Sequence, residues 1–372
     1  MQVLVTPIAV FGTDDRVPLP TSRQALGQSV GLLYEAASHT ICSAFCVGDA
    51  TIATAGHCIF RTQGEPSLKT SGFTFRLPSA RTATSSRIAG VQQGTGAQFV
   101  AASSSRLSVY PPIDAAHDWA LIRLEAPICA RRALPVSRRP AEELVKLSAQ
   151  DRVYQVGYHR DFGNWQLALG TPCAIRRGFA AADWKTISRD FTDAEHVILH
   201  TCDTGGASSG SPLLIDGPAG PEVIGINVGT YVQSRVLTQN GEVVHRYKAD
   251  SVANTGVSAE AFMPQLLAFT RADILPTRAK LRELQILLAA EGHYAGQHDG
   301  TYGPELRAGI ERFERAEGRP ETGLATRGLL ARLKALSMER VGATATSHRA
   351  QIETGRVGSH ETSKATSEVA PR

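Results

Sequence analysis

The residues of this chain that could do chemistry together are a serine, a histidine and an aspartate in three separate segments. Ser209 lies in the stretch 205–212, Gly-Gly-Ala-Ser-Ser-Gly-Ser-Pro, whose composition permits a tight turn that exposes a hydroxyl. His57 follows a short β-branched run, and Asp118 stands before an alternating strand. Serine needs a base to become a nucleophile, and the base needs a carboxylate to fix its tautomer. The three residues therefore predict nucleophilic catalysis.

These segments resemble the motifs of the chymotrypsin-like serine proteases. The stretch 54–58 is similar to the family's histidine motif, 118–121 to its aspartate motif and 209–212 to its serine motif, in the family's order. The Ser-Gly-Ser-Pro form, with residues 11–16, is closest to the bacterial glutamyl-endopeptidase branch. The resemblance covers roughly residues 11–269 and implies a serine endopeptidase. It also implies an all-β double barrel, with six antiparallel strands in each barrel and the triad between them, which many short strand-like runs fit.

The resemblance assigns further roles around the nucleophile. The N–H groups of Ala207 and Ser209 would form the oxyanion hole, although the family usually has glycine where this chain has Ala207. Ser208 stands where trypsins have an aspartate that pairs with a freshly cut N-terminus, so we do not expect activation by that ion pair. His117 and His159 are interpreted as structural, because a lone histidine rarely acts without a partner.

Four residues are candidates for substrate binding. Asp203, six residues before Ser209, matches the base of the trypsin pocket; the alternative is a carboxylate that holds its own loop through backbone hydrogen bonds. Asn227 stands where the glutamyl-specific relatives have a histidine, so a preference for glutamate is in doubt. Val228 and Gly229 would offer backbone groups to an extended substrate that adds as a strand.

Six cysteines lie within the first 202 residues. The resemblance implies a disulfide between Cys42 and Cys58. Six cysteines allow many connectivities, and for the other four we favour Cys173 with Cys202 and Cys46 with Cys129. Disulfides form in oxidising compartments. We therefore expect a periplasmic or secreted protein, although no clear signal peptide precedes Gly12.

The sequence disfavours metal ions, cofactors, nucleic acids and membranes as partners of this protein. A zinc site at Cys42, Cys46, His57 and Cys58 is the alternative to disulfides, but the adjacency of His57 and Cys58 departs from the usual ligand spacings. We expect no metal and no cofactor, since triad chemistry requires neither. The formal net charge is +4 and basic residues are scattered, which disfavours nucleic-acid binding. No apolar run is long enough to span a membrane.

The sequence changes character after Pro276. Leucine-rich stripes at helical spacing predict three short helices. With the loops between them, they resemble the peptidoglycan-binding domain of bacterial wall hydrolases over about 278–337. This resemblance implies glycan contacts from the loop residues Asp299, Gly300, Tyr302, Gly303 and Pro304. Glu314 replaces the family's usual glutamine, which predicts weaker or altered glycan contact, and a bundle that merely packs on the protease is the alternative.

The predicted organisation is an N-terminal extension (1–25), a trypsin-like domain (26–270), a linker (271–279), a three-helix peptidoglycan-binding domain (280–337) and a disordered tail (338–372). The predicted function is hydrolysis of peptide bonds in proteins, close to peptidoglycan. Two alternatives remain open: a catalytically inactive peptidoglycan-binding scaffold, and a peptidoglycan hydrolase. The residues leave the preferred side chain at the cleaved bond undetermined.

Overall fold

The computed structural model describes residues 9–340, except for 63–64, 69, 79–83, 104–110, 149–151, 180–182, 233–234, 240–241 and 248–250. Within these residues the strands are β1 (Val17–Pro18), β2 (Val30–Glu35), β3 (Thr40–Gly48), β4 (Thr51–Thr54), β5 (Phe60–Thr62), β6 (Glu65–Leu68), β7 (Phe73–Leu77), β8 (Thr84–Arg87), β9 (Val100–Ala102), β10 (Ala120–Arg123), β11 (Val153–Tyr158), β12 (Leu167–Cys173), β13 (Val197–His200), β14 (Pro212–Gly217), β15 (Gly220–Val232), β16 (Arg235–Gln239), β17 (Glu242–Tyr247) and β18 (Ser251–Ser258). The α-helices are α1 (Gln24–Gly27), α2 (Ala141–Ser148), α3 (Trp184–Ile187), α4 (Ala259–Arg271), α5 (Arg278–Ala290), α6 (Pro304–Ala316) and α7 (327–340).

Seven antiparallel strands form the first barrel, in the order β8-β7-β2-β3-β4-β10-β9. Its two sides meet where Ile88, after β8, pairs with Leu124, after β10. Alternate residues of a strand point to opposite faces, and the inward-facing Phe45, Phe73 and Phe75 are fully buried. These side chains belong to an apolar core that also includes residues of the second barrel, among them Val156, Leu199 and Val257.

The second barrel also has seven antiparallel strands, in the order β1-β12-β11-β14-β15-β18-β13. Ile175, after β12, pairs with His200 of β13 and brings the two sides together. The all-β double barrel is thus confirmed. Among the described residues each sheet has seven strands, where the resemblance implied six. In the second barrel β1 comes from the predicted N-terminal extension, whose Val17 pairs with Leu169.

Two runs that read as strands in the sequence, 98–101 and 173–177, are strands only in part. The run Gln98–Ala101 divides into a 3-10 helix at Gly96–Phe99 and the short strand β9. The run 173–177 overlaps β12 only at Cys173, and Ile175 contributes only an isolated bridge. Both runs have β-forming residues, but pairing with a neighbour decides where a strand ends, and no local pattern encodes that partner.

Helix α4 follows the second barrel and carries a stripe of apolar residues at helical spacing. Ala259, Phe262, Leu266 and Phe269 are its buried residues. The ring of Phe262 lies 6.2 Å from that of Trp119, centroid to centroid. Trp119 directly follows Asp118 and precedes β10, so α4 packs against the residue next to Asp118.

The last three helices form a bundle with a separate apolar core. The predicted stripes are buried there, through Leu281, Leu284, Leu288, Leu306, Ile310, Phe313, Leu329 and Leu333. The predicted three-helix bundle is confirmed. Among the described residues, no helix combines the length and the hydropathy needed to cross a membrane.

The stretch predicted as a linker is packed rather than exposed. Ile274 and Leu275 are 5% and 1% exposed. Leu275 O accepts a hydrogen bond from the Gln98 amide, and Arg307 of α6 donates to Ala102 O in β9. The bundle is therefore docked on the first barrel through its edge strand.

Candidate active site

His57 and Asp118 meet because their strands are neighbours. Strand β4 pairs antiparallel with β10, so that Thr54 lies opposite Ala120. His57 lies in a 3-10 turn just after β4, and Asp118 stands just before β10, which places both at the same end of the sheet. The His57 Nδ1 to Asp118 Oδ2 distance is 2.7 Å, and the His57 backbone N–H donates to Asp118 Oδ1 at 2.7 Å.

The surroundings of this pair favour a basic imidazole. The Asp118 side chain is fully buried, while that of His57 is 30% exposed. Burial by itself would lower the pKa of His57. The charge and the hydrogen bond of Asp118 together raise that pKa by more, so it lies above its usual value. An Nδ1–H that donates to the carboxylate leaves Nε2 as the proton acceptor.

The turn that carries Ser209 belongs to the second barrel but packs on the first. Ser43 of β3 donates its backbone N–H to Ser209 O at 2.9 Å. Gly210 has φ of +82°, and a Cβ there would lie 2.2 Å from Ser43 O and 3.0 Å from Ala55 N. Only glycine allows this approach, and it brings the partly exposed Ser209 to the segment that leads into His57.

Two backbone donors flank Ser208 in the same turn. Ala207 has φ of +77°, a left-handed conformation that costs a non-glycine residue about 1–2 kcal/mol. It is held there because Ser43 Oγ donates to Ala207 O at 3.0 Å and Arg160 N donates to Gly206 O at 2.6 Å. Among the described residues, neither the Ala207 N–H nor the Ser209 N–H donates to a protein acceptor. Both remain available to a bound oxygen.

A buried polar network lies beneath the turn and contains the predicted substrate residue Asn227. The Asn227 amide donates to Ser208 O at 3.0 Å, and its Oδ1 lies 3.1 Å from His200 Nε2. Burial lowers the pKa of His200 to about 4, so this histidine is neutral and donates to Asn227. Asn227 is 2% exposed, so it supports the nucleophile turn from inside. His200 escaped the sequence analysis because it lies in an ordinary apolar strand.

The neighbouring candidates Val228 and Gly229 lie in β15. Gly229 pairs with Thr255 of β18, and the pairing is irregular between Asn227 and Gly229, which places Val228 at a bulge. A bulge re-aims backbone groups and interrupts a ladder. The geometry leaves the role of both residues in substrate binding as a prediction.

Asp203 is engaged with the N-terminal segment. It is 2% exposed, and its two oxygens accept the backbone N–H groups of Phe11 at 2.8 Å and Asp15 at 3.0 Å. These contacts give the Asp203 carboxylate a backbone-holding role, and its role as the base of a substrate pocket remains a prediction. Its carboxylate holds backbone, as the alternative proposed, but it holds a segment 188 residues or more away rather than its own loop.

The Asp15 carboxyl beside Asp203 predicts a pH-dependent stability. Burial, Asp203 and Asp14 raise the pKa of Asp15 to about 6. A carboxyl with a raised pKa binds its proton more tightly in the folded state, so its ionisation lowers stability as pH rises between about 4 and 6. We expect Asp15→Asn to increase the free energy of unfolding at pH 8 by about 1 kcal/mol, a value discounted for partial exposure, and to change little at pH 4.

Urea unfolding of the Asp15→Asn variant at the two pH values measures this difference. Asp14→Asn is the matched control, because its hydrogen bonds with Arg16 lower the pKa of Asp14 and removing that charge should reduce stability at pH 8. An Asp15→Asn effect of equal size at both pH values would contradict the assignment.

The structure joins all six cysteines in disulfides: Cys42 with Cys58, Cys46 with Cys129 and Cys173 with Cys202. Cys42, His57 and Cys58 do lie close together, with their ligand atoms within 4.8 Å of one another. Zinc binds thiolates, and disulfide sulfurs are not thiolates. The pairing therefore argues against the zinc alternative.

In the C-terminal bundle, the predicted glycan loop is tied to Gln285 of α5. Gln285 Oε1 accepts the Gly300 N–H at 2.8 Å, and its Nε2 donates to Asp299 Oδ1 at 3.2 Å and Thr301 O at 3.1 Å. Gly300 has φ of +71° and a Cβ there would lie 2.3 Å from Arg278 O. Asp299 and Gly300 therefore fix the loop to α5, and the buried Gln285 is its structural partner.

The rest of this loop starts α6. Gly303 is the N-cap and Pro304 the first helical residue, a position that suits proline because no N–H is needed there. Tyr302 OH donates to Gly323 O at 2.7 Å. These residues have internal structural roles, and their contact with glycan remains a prediction.

Glu314 does not face solvent, contrary to the suggestion that it changes glycan contact. It is 5% exposed, and its carboxylate accepts the N–H groups of Thr322 at 2.6 Å and Gly323 at 2.9 Å. The Thr322 hydroxyl donates to its other oxygen at 2.7 Å. Glu314 instead closes the Thr-Gly turn.

Comparison with known proteins agrees with this division of the chain. The family model of the trypsin-like peptidase domain matches residues 42–226, and that of a peptidoglycan binding domain matches residues 277–333. No curated protein matches the chain. Among solved structures, a Glu endopeptidase in complex with MPD is similar, at 15% identity and a TM-score of 0.47, over 71% of this chain and 99% of that one. The chain contains a trypsin-like peptidase domain and, after it, a peptidoglycan binding domain.

Proposed function

We propose that the protein is a serine endopeptidase that cleaves proteins close to peptidoglycan. The observation that carries the proposal is the 2.7 Å contact between His57 and buried Asp118 on one barrel, beside the turn from the other barrel that presents Ser209. Ser209 Oγ attacks the peptide carbonyl while His57 Nε2 takes its proton and later passes it to the leaving amine. Asp118 stabilises the imidazolium that forms in between.

The charge that develops on the carbonyl oxygen would be bound by the N–H groups of Ala207 and Ser209. One such donor typically contributes a factor of about 100 to 1,000 in rate. Alanine in place of glycine at 207 is a feature that would favour an inactive scaffold, because a Cβ disfavours positive φ. Its φ of +77° supports activity instead, because alanine takes the left-handed conformation available to glycine.

The C-terminal domain would hold the enzyme at the wall. Its peptidoglycan binding match, together with three disulfides in the body, favours a periplasmic or secreted location. The docked bundle would then keep the peptidase within reach of proteins on or near the glycan.

Two measurements on purified, oxidised protein test this function. Mass spectrometry of a peptide mixture should show internal peptide-bond cleavage by wild type and none by Ser209→Ala, whereas both should sediment with purified peptidoglycan. Release of muropeptides without peptide cleavage would favour a peptidoglycan hydrolase. Binding to peptidoglycan without either activity would favour the scaffold.

A further inference from the structure

The segment 9–16 lies directly against the loop that leads to Ser209. Ala9 and Thr204 form an antiparallel bridge, in which Thr204 N donates to Ala9 O at 3.0 Å. The adjacent Asp203 accepts the N–H groups of Phe11 and Asp15. Backbone from one end of the chain thus holds the loop at two successive residues.

Arg16 fixes the same loop through its ion pairs. It is 7% exposed, and its guanidinium binds Asp14 and Asp161 with Nη2 to oxygen distances of 2.7 and 2.8 Å. Gly205 lies on this ion pair, since a Cβ there would be 2.0 Å from Asp161 Oδ1 and 2.9 Å from Arg16 Nη1. Arg16 also lowers the pKa of both carboxyls, which keeps them charged.

The segment that follows β11 completes the contact. His159 Nδ1 accepts the Gly205 N–H at 3.0 Å, and Arg160 N donates to Gly206 O at 2.6 Å. Burial and nearby Arg16 lower the pKa of His159 to about 4, so the ring remains a neutral acceptor. In a trans peptide, C=O and N–H point in opposite directions. Gly206 O and the Ala207 N–H belong to the same peptide group. Because Arg160 binds the oxygen on one side of the chain, the Ala207 N–H points to the opposite side.

We propose that Arg16 and Asp203 are positioning residues that hold the loop before Ser209 in its catalytic shape. Together with the segment 9–16 they would order the loop. Trypsins order it with an ion pair at the residue before the nucleophile, which here is the neutral Ser208. Asp203 acts through Phe11 and Asp15, and Arg16 through Asp161. This inference rests on the proposed serine peptidase function and adds how its oxyanion loop is ordered.

Arg16→Gln and Asp203→Asn test this role, with Arg23→Gln as the matched control. Arg23 also makes a forked pair, with both nitrogens 2.6 Å from Asp216, but it is more exposed than Arg16. It lies beside Tyr154 at the start of β11, whereas the loop contacts His159 and Arg160 after the end of that strand. We expect both test variants to lower kcat by about 100-fold, as loss of one oxyanion donor would, with KM within about threefold. Arg16→Lys should be intermediate, because one ammonium cannot fork to both aspartates. Arg23→Gln should leave kcat unchanged.

Amide hydrogen exchange at 203–209 supplies a readout that does not depend on activity. Exchange should accelerate in Arg16→Gln and Asp203→Asn and remain unchanged in Arg23→Gln, all measured well below the unfolding temperature. Wild-type kcat and exchange in a folded Arg16→Gln variant would overturn the proposal, as would an equal loss in Arg23→Gln. Faster exchange in Arg16→Gln and Asp203→Asn, together with a wild type that cleaves no peptide, would support the role of these residues in ordering the loop. It would reject the proposed peptidase function.

Discussion

Replacing Asp118 with asparagine is expected to lower kcat by about 10,000-fold while the protein stays folded. The His57 backbone N–H donates to Asp118 Oδ1, so an asparagine at 118 must place its oxygen there and its NH₂ against His57 Nδ1. Nδ1 then becomes an acceptor and the proton moves to Nε2. In that tautomer the imidazole cannot take a proton from Ser209.

The pH dependence of the remaining activity distinguishes this effect from misfolding. In wild type, kcat/KM should rise with pH as His57 loses its proton, with a midpoint above the usual histidine value because Asp118 raises the pKa. In Asp118→Asn the midpoint should fall, since the stabilising negative charge is gone. An unchanged pH midpoint in Asp118→Asn would contradict the role of Asp118 in raising the pKa of His57.

Asp114 offers a matched control on the same turn. It forms a second pair of this kind, 2.6 Å from Nδ1 of His117, whose side chain is 37% exposed. Asp114→Asn should therefore change kcat by less than about twofold, because screened surface pairs contribute little. A large loss in that variant would mean that the whole turn, rather than the tautomer of His57, limits activity.

Replacing Gly210 with alanine should reduce the free energy of unfolding by about 3 kcal/mol. The added Cβ would lie 2.2 Å from Ser43 O and from Thr54 Oγ1, and the backbone atom cannot move without opening the contact between the barrels. The left-handed φ of +82° adds its own cost. Urea unfolding measures the loss.

Gly94 is the control for this prediction. It also has positive φ, at +68°, but nothing lies within 4 Å of a Cβ placed there. Gly94→Ala should lower the free energy of unfolding by about 1 kcal/mol, which isolates the backbone strain from the clash. Equal losses in the two variants would show that the contact of Gly210 with the first barrel is unimportant.

The parts of the molecule predictable from sequence are those whose signal is local. The motifs around His57, Asp118 and Ser209 carried the resemblance that implied the double barrel, and short strand-like runs fit it. The three-helix bundle follows from leucine stripes at helical spacing. The pairing of His57 with Asp118 rests on motifs whose residues carry the chemistry themselves. In each case a few neighbouring residues contain the information.

Contacts between distant segments were not predictable. Asp203 looked like a pocket residue or a local turn former, because its partners Phe11 and Asp15 are far away in sequence. His159 looked like an isolated histidine, since the Gly205 N–H that it accepts comes from another segment. Glu314 looked like a surface substitution until the turn that it holds was seen. Backbone groups supply these partners, and side-chain patterns do not reveal them.

The most direct test of the proposed function is labelling of the folded, oxidised protein with a fluorophosphonate probe, followed by mapping of the modified residue. An activated serine attacks this phosphorus electrophile, whereas ordinary serines do not. We predict one adduct, on Ser209, in wild type and none in Ser209→Ala or His57→Ala. Absence of labelling in wild type, or labelling that persists in His57→Ala, would contradict a His57-activated Ser209.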